Sequence, residues 1–258
     1  WYIFWKFRAL RLMVMMEYRL DFFFWTFVSA MWTGFDFFFF FLILQVNGTL
    51  GGWSTPEMYI FVSTFTLIDA FFWSFLYANM RVYTRQIFSG DFTHVLLKPI
   101  DAQYLVSVQD NSYTNVSRLI IGTAALLWSL HQLPYRVTIA NVALYLFFLC
   151  VSIFFLYCLY FLIATCAFWF EKLESISDML PSSQRLWQVP RSIYTGVASV
   201  FFTVLLPLGL IVSVPSEILL GKNIWQIALY FLAFTCGLFL LGRVFFLYST
   251  RKYSSLGG

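Results

Sequence analysis

The sequence predicts an all-α integral membrane protein with six transmembrane helices, and two properties of the chain support this class. Of the 258 residues, 61% are hydrophobic and 22% aromatic, whereas only 11% are charged. Soluble domains contain roughly 45–50% apolar and 25% charged residues. The chain also contains several apolar runs of about 20 residues, the length that a helix needs to cross about 30 Å of hydrocarbon. We therefore treat residues 1–258 as one transmembrane domain.

The first element, residues 1–21, is predicted to be an interfacial helix on the membrane surface. At about 100° per residue, its arginines cluster in one sector and its apolar residues share another face. The arginines are Arg8, Arg11 and Arg19, and the apolar residues are Trp5, Ala9, Leu12, Met16 and Leu20. The alternative is a cytoplasmic extension of the first span. The clustered charges favour the interfacial helix.

Six apolar segments follow as candidate spans. They are residues 22–46, 56–80, 113–133, 137–169, 193–214 and 224–247. The fourth segment is longer than a bilayer requires, so we expect it to kink or to extend into water. Pro207 lies inside the fifth segment and should bend it, because proline lacks a backbone donor and crowds the preceding turn.

The distribution of basic residues predicts the orientation. If the N-terminus is cytoplasmic, twelve of the 16 Lys and Arg residues lie in cytoplasmic segments, and only Arg136 and Lys222 lie in outer loops. Cytoplasmic loops of membrane proteins are enriched in Lys and Arg, so both termini are expected inside. The net charge of +4 therefore indicates membrane topology and gives no reason to expect a nucleic-acid partner.

The loop of residues 81–112 is predicted to be cytoplasmic and to contain a short helix. Gly90 should end the preceding helix, Asp91 can cap a new one, and Pro99 should end it. The spacing i, i+3, i+4 gives this helix one apolar face, formed by Phe92, Val95 and Leu96. That face is expected to rest on the membrane surface, on the protein's own helix ends or on a partner.

Three charged residues inside the predicted spans are the main candidates for function. Asp36 lies in the first span, Asp69 in the second and Arg118 in the third. A charge near the bilayer centre costs roughly 2.5–3.5 kcal/mol on insertion scales, so each should have a partner or water. Asp69 and Arg118 are expected to contact each other, either as a structural ion pair or in substrate or proton movement. No basic residue matches the depth of Asp36, so a water-filled route or a second subunit is expected there.

Catalytic and metal-binding patterns are missing from the sequence. The four cysteines lie inside apolar runs, and His94 and His131 occupy different segments. The stretch nearest to a P-loop, Gly221-Lys222, has Ser216 in place of the first glycine and is followed by Asn223. We therefore expect neither enzymatic activity, nor a metal site, nor a nucleotide site in this chain.

Several short motifs resemble those of permease subunits of type-two ABC exporters, in particular a bacterial family of six-span permeases encoded separately from their ATPase. The similar stretches are Glu17-Tyr18-Arg19, Gly51-Gly52-Trp53-Ser54 with Glu57, Ile87 to Pro99, residues 192–221 with Leu206-Pro207 and Leu219-Leu220-Gly221, and Tyr253-Ser254. The likeness extends over nearly the whole chain.

This resemblance implies a multi-pass protein of the plasma (inner) membrane that forms a translocation path and performs no chemistry itself. Residues 91–98 become the coupling helix, with Asp91, Phe92, Val95, Leu96 and Lys98 as the residues that couple to the ATPase. The implied partners are two ATPase subunits, which bind ATP and Mg²⁺, a second permease that is identical or related, and the lipid bilayer.

Two other functions remain open at this point. A proton-coupled secondary transporter or channel would use Asp36 or Asp69 to carry protons and would work without ATP. A membrane enzyme acting on lipid would need a cluster of His, Asp or Glu at a membrane boundary, and the sequence shows no such cluster.

Overall fold

The computed structural model describes residues 2–170 and 184–253, and all regular elements within these ranges are helical. The α-helices are α1 (Tyr2–Glu17), α2 (Arg19–Asn47), α3 (Thr55–Phe71), α4 (Ala78–Ser89), α5 (Phe92–Leu96), α6 (Ala102–Val108), α7 (Val116–His131), α8 (Ile139–Thr165), α9 (Gly196–Val200), α10 (Leu210–Leu219) and α11 (Trp225–Lys252). A π-helical turn, Phe72–Tyr77, joins α3 to α4, and a second, Phe201–Leu205, follows α9. Short 3₁₀ turns lie at Cys166–Phe168 and Arg191–Ile193.

Four helical runs in the described part of the chain are long and apolar enough to cross a membrane. They are Arg19–Val46, Thr55–Ser89, Ile139–Phe168 and Trp225–Arg251, which match the first, second, fourth and sixth apolar segments. The third segment forms α7, whose 16 residues extend about 24 Å at 1.5 Å per residue and are short for a full span. The expected count of six complete spans is therefore not reproduced; the described residues provide four, or five with the bent pair described below.

The helix formed by α3, the π turn and α4 lies at the centre of the bundle. About two thirds of its most apolar window is buried, against 22% for α2 and for α11. A capping box fixes its start: the Ser54 backbone N–H donates to Glu57 Oε2 at 2.8 Å, and Pro56 occupies the first turn. The helix then runs 35 residues without interruption to Ser89.

The bundle has two ends, which contacts between distant loops define. At the first, here called the Trp53 end, Lys222 Nζ lies 4.0 Å from the centre of the Trp53 ring and 3.8 Å from Glu57 Oε1. At the second, here called the Phe92 end, Arg243 forms an ion pair with Asp101 at 2.6 Å. The long helices run between these two ends.

The fifth apolar segment does not form one straight helix. Residues 196–205 and α10 meet at an angle of 83°, with the break around Pro207. Leu206, the residue before the proline, is extended (φ −134°, ψ 90°), as expected from the clash between a proline ring and a preceding helical residue. The bend expected from Pro207 is therefore confirmed, but the expectation of a single span over 193–214 is not.

Both ends of this bent pair lie toward the Trp53 end. Arg191, just before the pair, donates to both carboxylate oxygens of Glu217 at its end, at 2.9 and 2.8 Å. Ser192 Oγ lies 2.7 Å from the position that a Cβ on Gly51 would take, which fixes the start of the pair beside the loop of Trp53. The pair therefore enters and leaves the bundle at one end. The contact with Glu217 therefore holds Arg191 toward the Trp53 end.

Contacts with α8 show how deep the bent pair of residues 196–205 and α10 lies in the helix bundle. Gly221 packs against Asn141, and Ser152 Oγ donates to the Ile211 carbonyl oxygen at 2.6 Å. Asn141 and Ser152 are separated by about 16 Å along the helix at 1.5 Å per residue. This depth is about half the hydrocarbon thickness of a bilayer.

Helix α1 is a separate element rather than a continuation of α2. The chain breaks at Tyr18 (φ −102°, ψ 51°), and Arg11 forms an ion pair with Asp110 while Arg8 donates to the Asp110 carbonyl oxygen at 3.3 Å. Apolar residues of its predicted face are exposed, with Leu12 46% and Met16 43% exposed, whereas Leu20 lies on α2. This exposure is compatible with the expected interfacial location, which stays a prediction.

Cysteine labelling can test whether the bent pair crosses the membrane or returns to the side from which it enters. In a cysteine-free background, Ser192→Cys and Asn223→Cys should react with a membrane-impermeant maleimide from the same side of sealed vesicles. Ser89→Cys, at the Phe92 end, should react from the other side. Labelling of Ser192→Cys and Ser89→Cys from one side would show that the segment crosses the membrane.

Candidate functional site

A cavity of about 810 Å³ lies between α2, α3, α7 and residues 184–188. Its polar lining includes Ser29, Asp36, Asp69, Asn115, Arg118 and Gln188, and three tryptophans, Trp25, Trp32 and Trp73, line it as well. All three charged residues singled out from the sequence therefore meet in one place. Cavities of this size take drug-sized ligands.

Asp69 and Arg118 form a salt bridge between α3 and α7, which confirms the predicted contact. The side chain of Asp69 is 2% exposed and that of Arg118 is 12% exposed. One turn beyond Arg118, a Cβ on Gly122 would lie only 3.2 Å from Thr66 Cγ2, so glycine allows α7 to approach α3 closely at this level. The small residue thus positions the ion pair.

Asp36 lies on the α2 wall of the same cavity. Its Oδ1 accepts a hydrogen bond from Gln188 Nε2 at 2.9 Å, and it also interacts electrostatically with Arg118. We expected no basic residue at the depth of Asp36, and this expectation was wrong, because Arg118 lines the same cavity. The depth of a residue along its own helix does not show which side chains of other helices it meets.

Sequence reasoning missed the polar residues 184–188, which follow the fourth span. Gln184, Arg185 and Gln188 line the cavity, although this stretch was expected to be part of a cytoplasmic connection. The spacing of Gln184 and Gln188 was the available signal, since two amides four residues apart just before Pro190 are unusual in a simple connection. The rest of that connection, residues 171–183, lies outside the described residues.

Three buried polar atoms of the cavity residues have no hydrogen-bond partner among the described residues. They are Asp69 Oδ1, Arg118 Nε and Gln184 Nε2. Buried polar groups are nearly always satisfied by protein, water or ligand. The cavity therefore has unused hydrogen-bonding capacity at its deepest charged residues.

The structure of the short helix α5, at the Phe92 end, differs from the expectation that Phe92 and Val95 face a partner. Phe92 is fully buried and Val95 is 3% exposed, so these two residues pack inside this chain and do not offer a surface to a partner. Leu96 and Leu97 are 40% and 76% exposed, and Asp91 and Lys98 are also exposed. The i, i+3 pair faces inward because an aromatic cluster of the chain's own helices lies beneath it.

That cluster surrounds Phe92 with rings from four other parts of the chain. The distances from the Phe92 ring centre are 5.3 Å to Phe168, 5.5 Å to Tyr253, 5.7 Å to Tyr83 and 6.4 Å to Phe246. Nearby, hydrogen bonds from Arg243 lower the pKa of Asp101 below its ordinary value, so Asp101 stays ionised in this contact at neutral pH. Through the Phe92 ring, α5 packs against α4, against the 3₁₀ turn at the end of α8 and against α11.

The ion pair gives a stability prediction. Asp69→Asn leaves Arg118 with only Asp36, whereas Arg118→Leu leaves the buried carboxylate of Asp69 without its cation. Removing one partner of a buried pair costs about 3–5 kcal/mol, and removing both can be nearly neutral. Both single variants should lower the Tm of the purified protein, Arg118→Leu more, and the double variant should recover part of the loss.

Asp21→Asn is the matched control, since Asp21 is an exposed carboxylate on α2. Its Tm should equal that of the wild type. A double variant whose loss equals the sum of the two single losses would show that Asp69 and Arg118 do not stabilise each other.

Comparison with known proteins agrees with this architecture. No curated protein and no solved structure matches the sequence significantly. The family model for ABC-2 family transporter proteins matches residues 30–257, which is most of the chain. With its apolar helices and its charged cavity, the chain belongs to the ABC-2 transporter family, as a multi-pass permease subunit of a type-two ABC transporter.

Proposed function

We propose that this chain is the transmembrane subunit of an ATP-driven exporter, assembled from two permeases and two ATPase subunits. The second permease is identical or related, and ATP and Mg²⁺ bind to the ATPase. The observation that carries the proposal is the family match together with α5, a short helix with exposed leucines at the Phe92 end. The sequence has no P-loop, so a partner must supply ATP hydrolysis.

We infer that the Phe92 end faces the cytoplasm of a plasma-membrane protein, with both termini on that side. Its exposed basic side chains are Arg81, Arg85, Lys98 and Arg251. At the Trp53 end, Lys222 and Arg191 lie beside Glu57 and Glu217, and Arg136 is exposed. An excess of unpaired Lys and Arg is typical of the cytoplasmic face.

The proposed contact with the ATPase is narrower than the sequence suggested. Leu96 on α5 is exposed, as are Leu97 and Lys98 just after it and Asp91 just before it. Phe92 and Val95 hold the helix from beneath. Movement of the ATPase would therefore act on the leucines and pass through Phe92 into the bundle.

The helix of α3, the π turn and α4 provides a direct route from α5 to the cavity. Tyr83, which packs on Phe92, and Asp69, in the cavity wall, lie on this one helix, about 21 Å apart at 1.5 Å per residue. The π turn Phe72–Tyr77 lies between them and includes the cavity residue Trp73. π turns inside α-helices frequently mark functional sites. We propose that this turn converts movement at α5 into a change of cavity shape.

The proton-coupled alternative is weaker on this geometry. Asp69 is engaged by Arg118 in a salt bridge, which leaves Asp36 as the carboxylate of the cavity that could carry protons. Transport by the isolated chain, driven by a proton gradient in ATP-free vesicles, would support that alternative and contradict the exporter proposal.

Assembly with the ATPase should depend on the exposed leucine. Leu97→Asp places a charge in an apolar contact, which is costly unless the charge is paired. The amount of ATPase that co-purifies with the permease should fall at least tenfold, while membrane insertion stays normal. Ile139→Asp is the control: Ile139 is 89% exposed but lies at the Trp53 end, so ATPase recovery should not change. Undiminished recovery with Leu97→Asp would exclude α5 as the docking element.

The buried aromatic should behave differently from the exposed leucine. Phe92→Ala removes a fully buried ring, and such changes typically cost about 3–5 kcal/mol of stability. The Tm of the Phe92→Ala protein should therefore fall, whereas that of Leu97→Asp should stay close to the wild type. Equal Tm values for wild type and Phe92→Ala would contradict the anchoring role of the cluster.

A further inference from the structure

Asp36 is the carboxylate of the cavity that forms no salt bridge within the described residues. Among the described lining residues of the cavity, Asp36 and Asp69 are acidic, and Arg118 is the basic residue buried with them. Arg185 also lines the cavity, but it is exposed and lies at the rim. Arg118 is committed to Asp69 by the salt bridge, so the carboxylate of Asp36 is left with the neutral amide of Gln188 as its hydrogen-bond partner.

A second observation points to a ligand that forms hydrogen bonds, because the cavity contains one buried acceptor and two buried donors, Arg118 Nε and Gln184 Nε2, without partners among the described residues. Asp69 Oδ1 is a buried acceptor without a partner among the described residues, although the Asp69 side chain is only 2% exposed. An unsatisfied acceptor of this kind costs free energy unless water or a ligand donates to it. Two acceptors, one on Asp36 and one on Asp69, are therefore available in the same cavity.

The aromatic lining favours the same charge. Trp25, Trp32 and Trp73 line the cavity together with Asp36. Tryptophan has the most favourable ring face for a cation, within about 6 Å of the ring centre. The same indole rings also provide apolar surface for the body of an amphipathic molecule.

We propose that this cavity binds an amphipathic organic cation, with its positive group at Asp36 and its apolar body between the tryptophans. The inference rests on the proposed function, because it takes the cavity to be part of the translocation path. A volume of about 810 Å³ accommodates a ligand of this kind. An organic anion would meet the carboxylate of Asp36, and it would have to be held by Arg118, which is already in the salt bridge with Asp69, or by the exposed Arg185.

Two nearly isosteric ions of opposite charge test the proposal. The full-length permease, in nanodiscs of zwitterionic lipid, is titrated with tetraphenylphosphonium and with tetraphenylborate, and binding to empty nanodiscs is subtracted. Saturable binding of the phosphonium, with little or none of the borate, is expected. Equal binding of both ions, or preferential binding of the borate, would overturn the proposal without any variant having to fold.

Variants then locate the site. Asp36→Asn, which keeps the shape of the side chain, should weaken phosphonium binding at least tenfold, and Trp32→Leu should weaken it severalfold. Asp21→Asn, which removes an exposed carboxylate from the same helix, should leave binding unchanged. Phosphonium binding that Asp36→Asn does not weaken would overturn the assignment of the site.

The same preparations separate this inference from the proposed function. If the ATPase co-purifies with the permease but the phosphonium shows no saturable binding, the cation site alone is wrong. If the phosphonium binds and depends on Asp36 while no ATPase co-purifies, the cation site stands and the exporter assignment is overturned.

Discussion

The ion pair between Asp69 and Arg118 is the contact on which the arrangement around the cavity depends. Two opposite charges in a membrane interior stabilise each other only at short range and in one geometry, so they fix the position of α7 relative to α3. Gly122 allows the close approach that this geometry requires. Helix α7 is short for a span and packs closely on α3. The cavity, with Asp36 on its opposite wall, follows from this fixed pair of helices.

The helix that carries Asp69 also contacts the proposed docking element. Its α4 part provides Tyr83 to the aromatic cluster around Phe92, while its α3 part lines the cavity. The α3 part of this helix packs against α7, α8 and α10. We therefore expect that a force applied to its α4 end shifts the helix along its axis. The π turn at Phe72–Tyr77 is the one place in this helix where the hydrogen-bond pattern changes, and Trp73 places that change at the cavity.

Sequence patterns predicted the features that depend on local chemistry. Long apolar runs predicted the four complete spans, and Gly90 and Pro99 predicted the limits of α5. The positions of Asp69 and Arg118 in the inner halves of adjacent spans predicted their contact. Sequence patterns failed where distant parts of the chain decide the outcome. The hydropathy of residues 193–214 cannot show that Arg191 pairs with Glu217 and returns the helix pair to one end. Likewise, the i, i+3 spacing in α5 identified an apolar face, but only the cluster beneath it shows that Phe92 faces inward.

We propose that α5 connects an ATPase to the cavity that contains Asp36, and that this cavity faces a second permease. A structure of the purified complex with its co-purifying chains, determined by cryo-electron microscopy, tests it most directly. The account predicts Leu96 and Leu97 inside a cleft of the ATPase and the cavity of Asp36 facing the second permease. An ATPase that contacts the permease away from α5, or a cavity that faces lipid in the assembled complex, would contradict it.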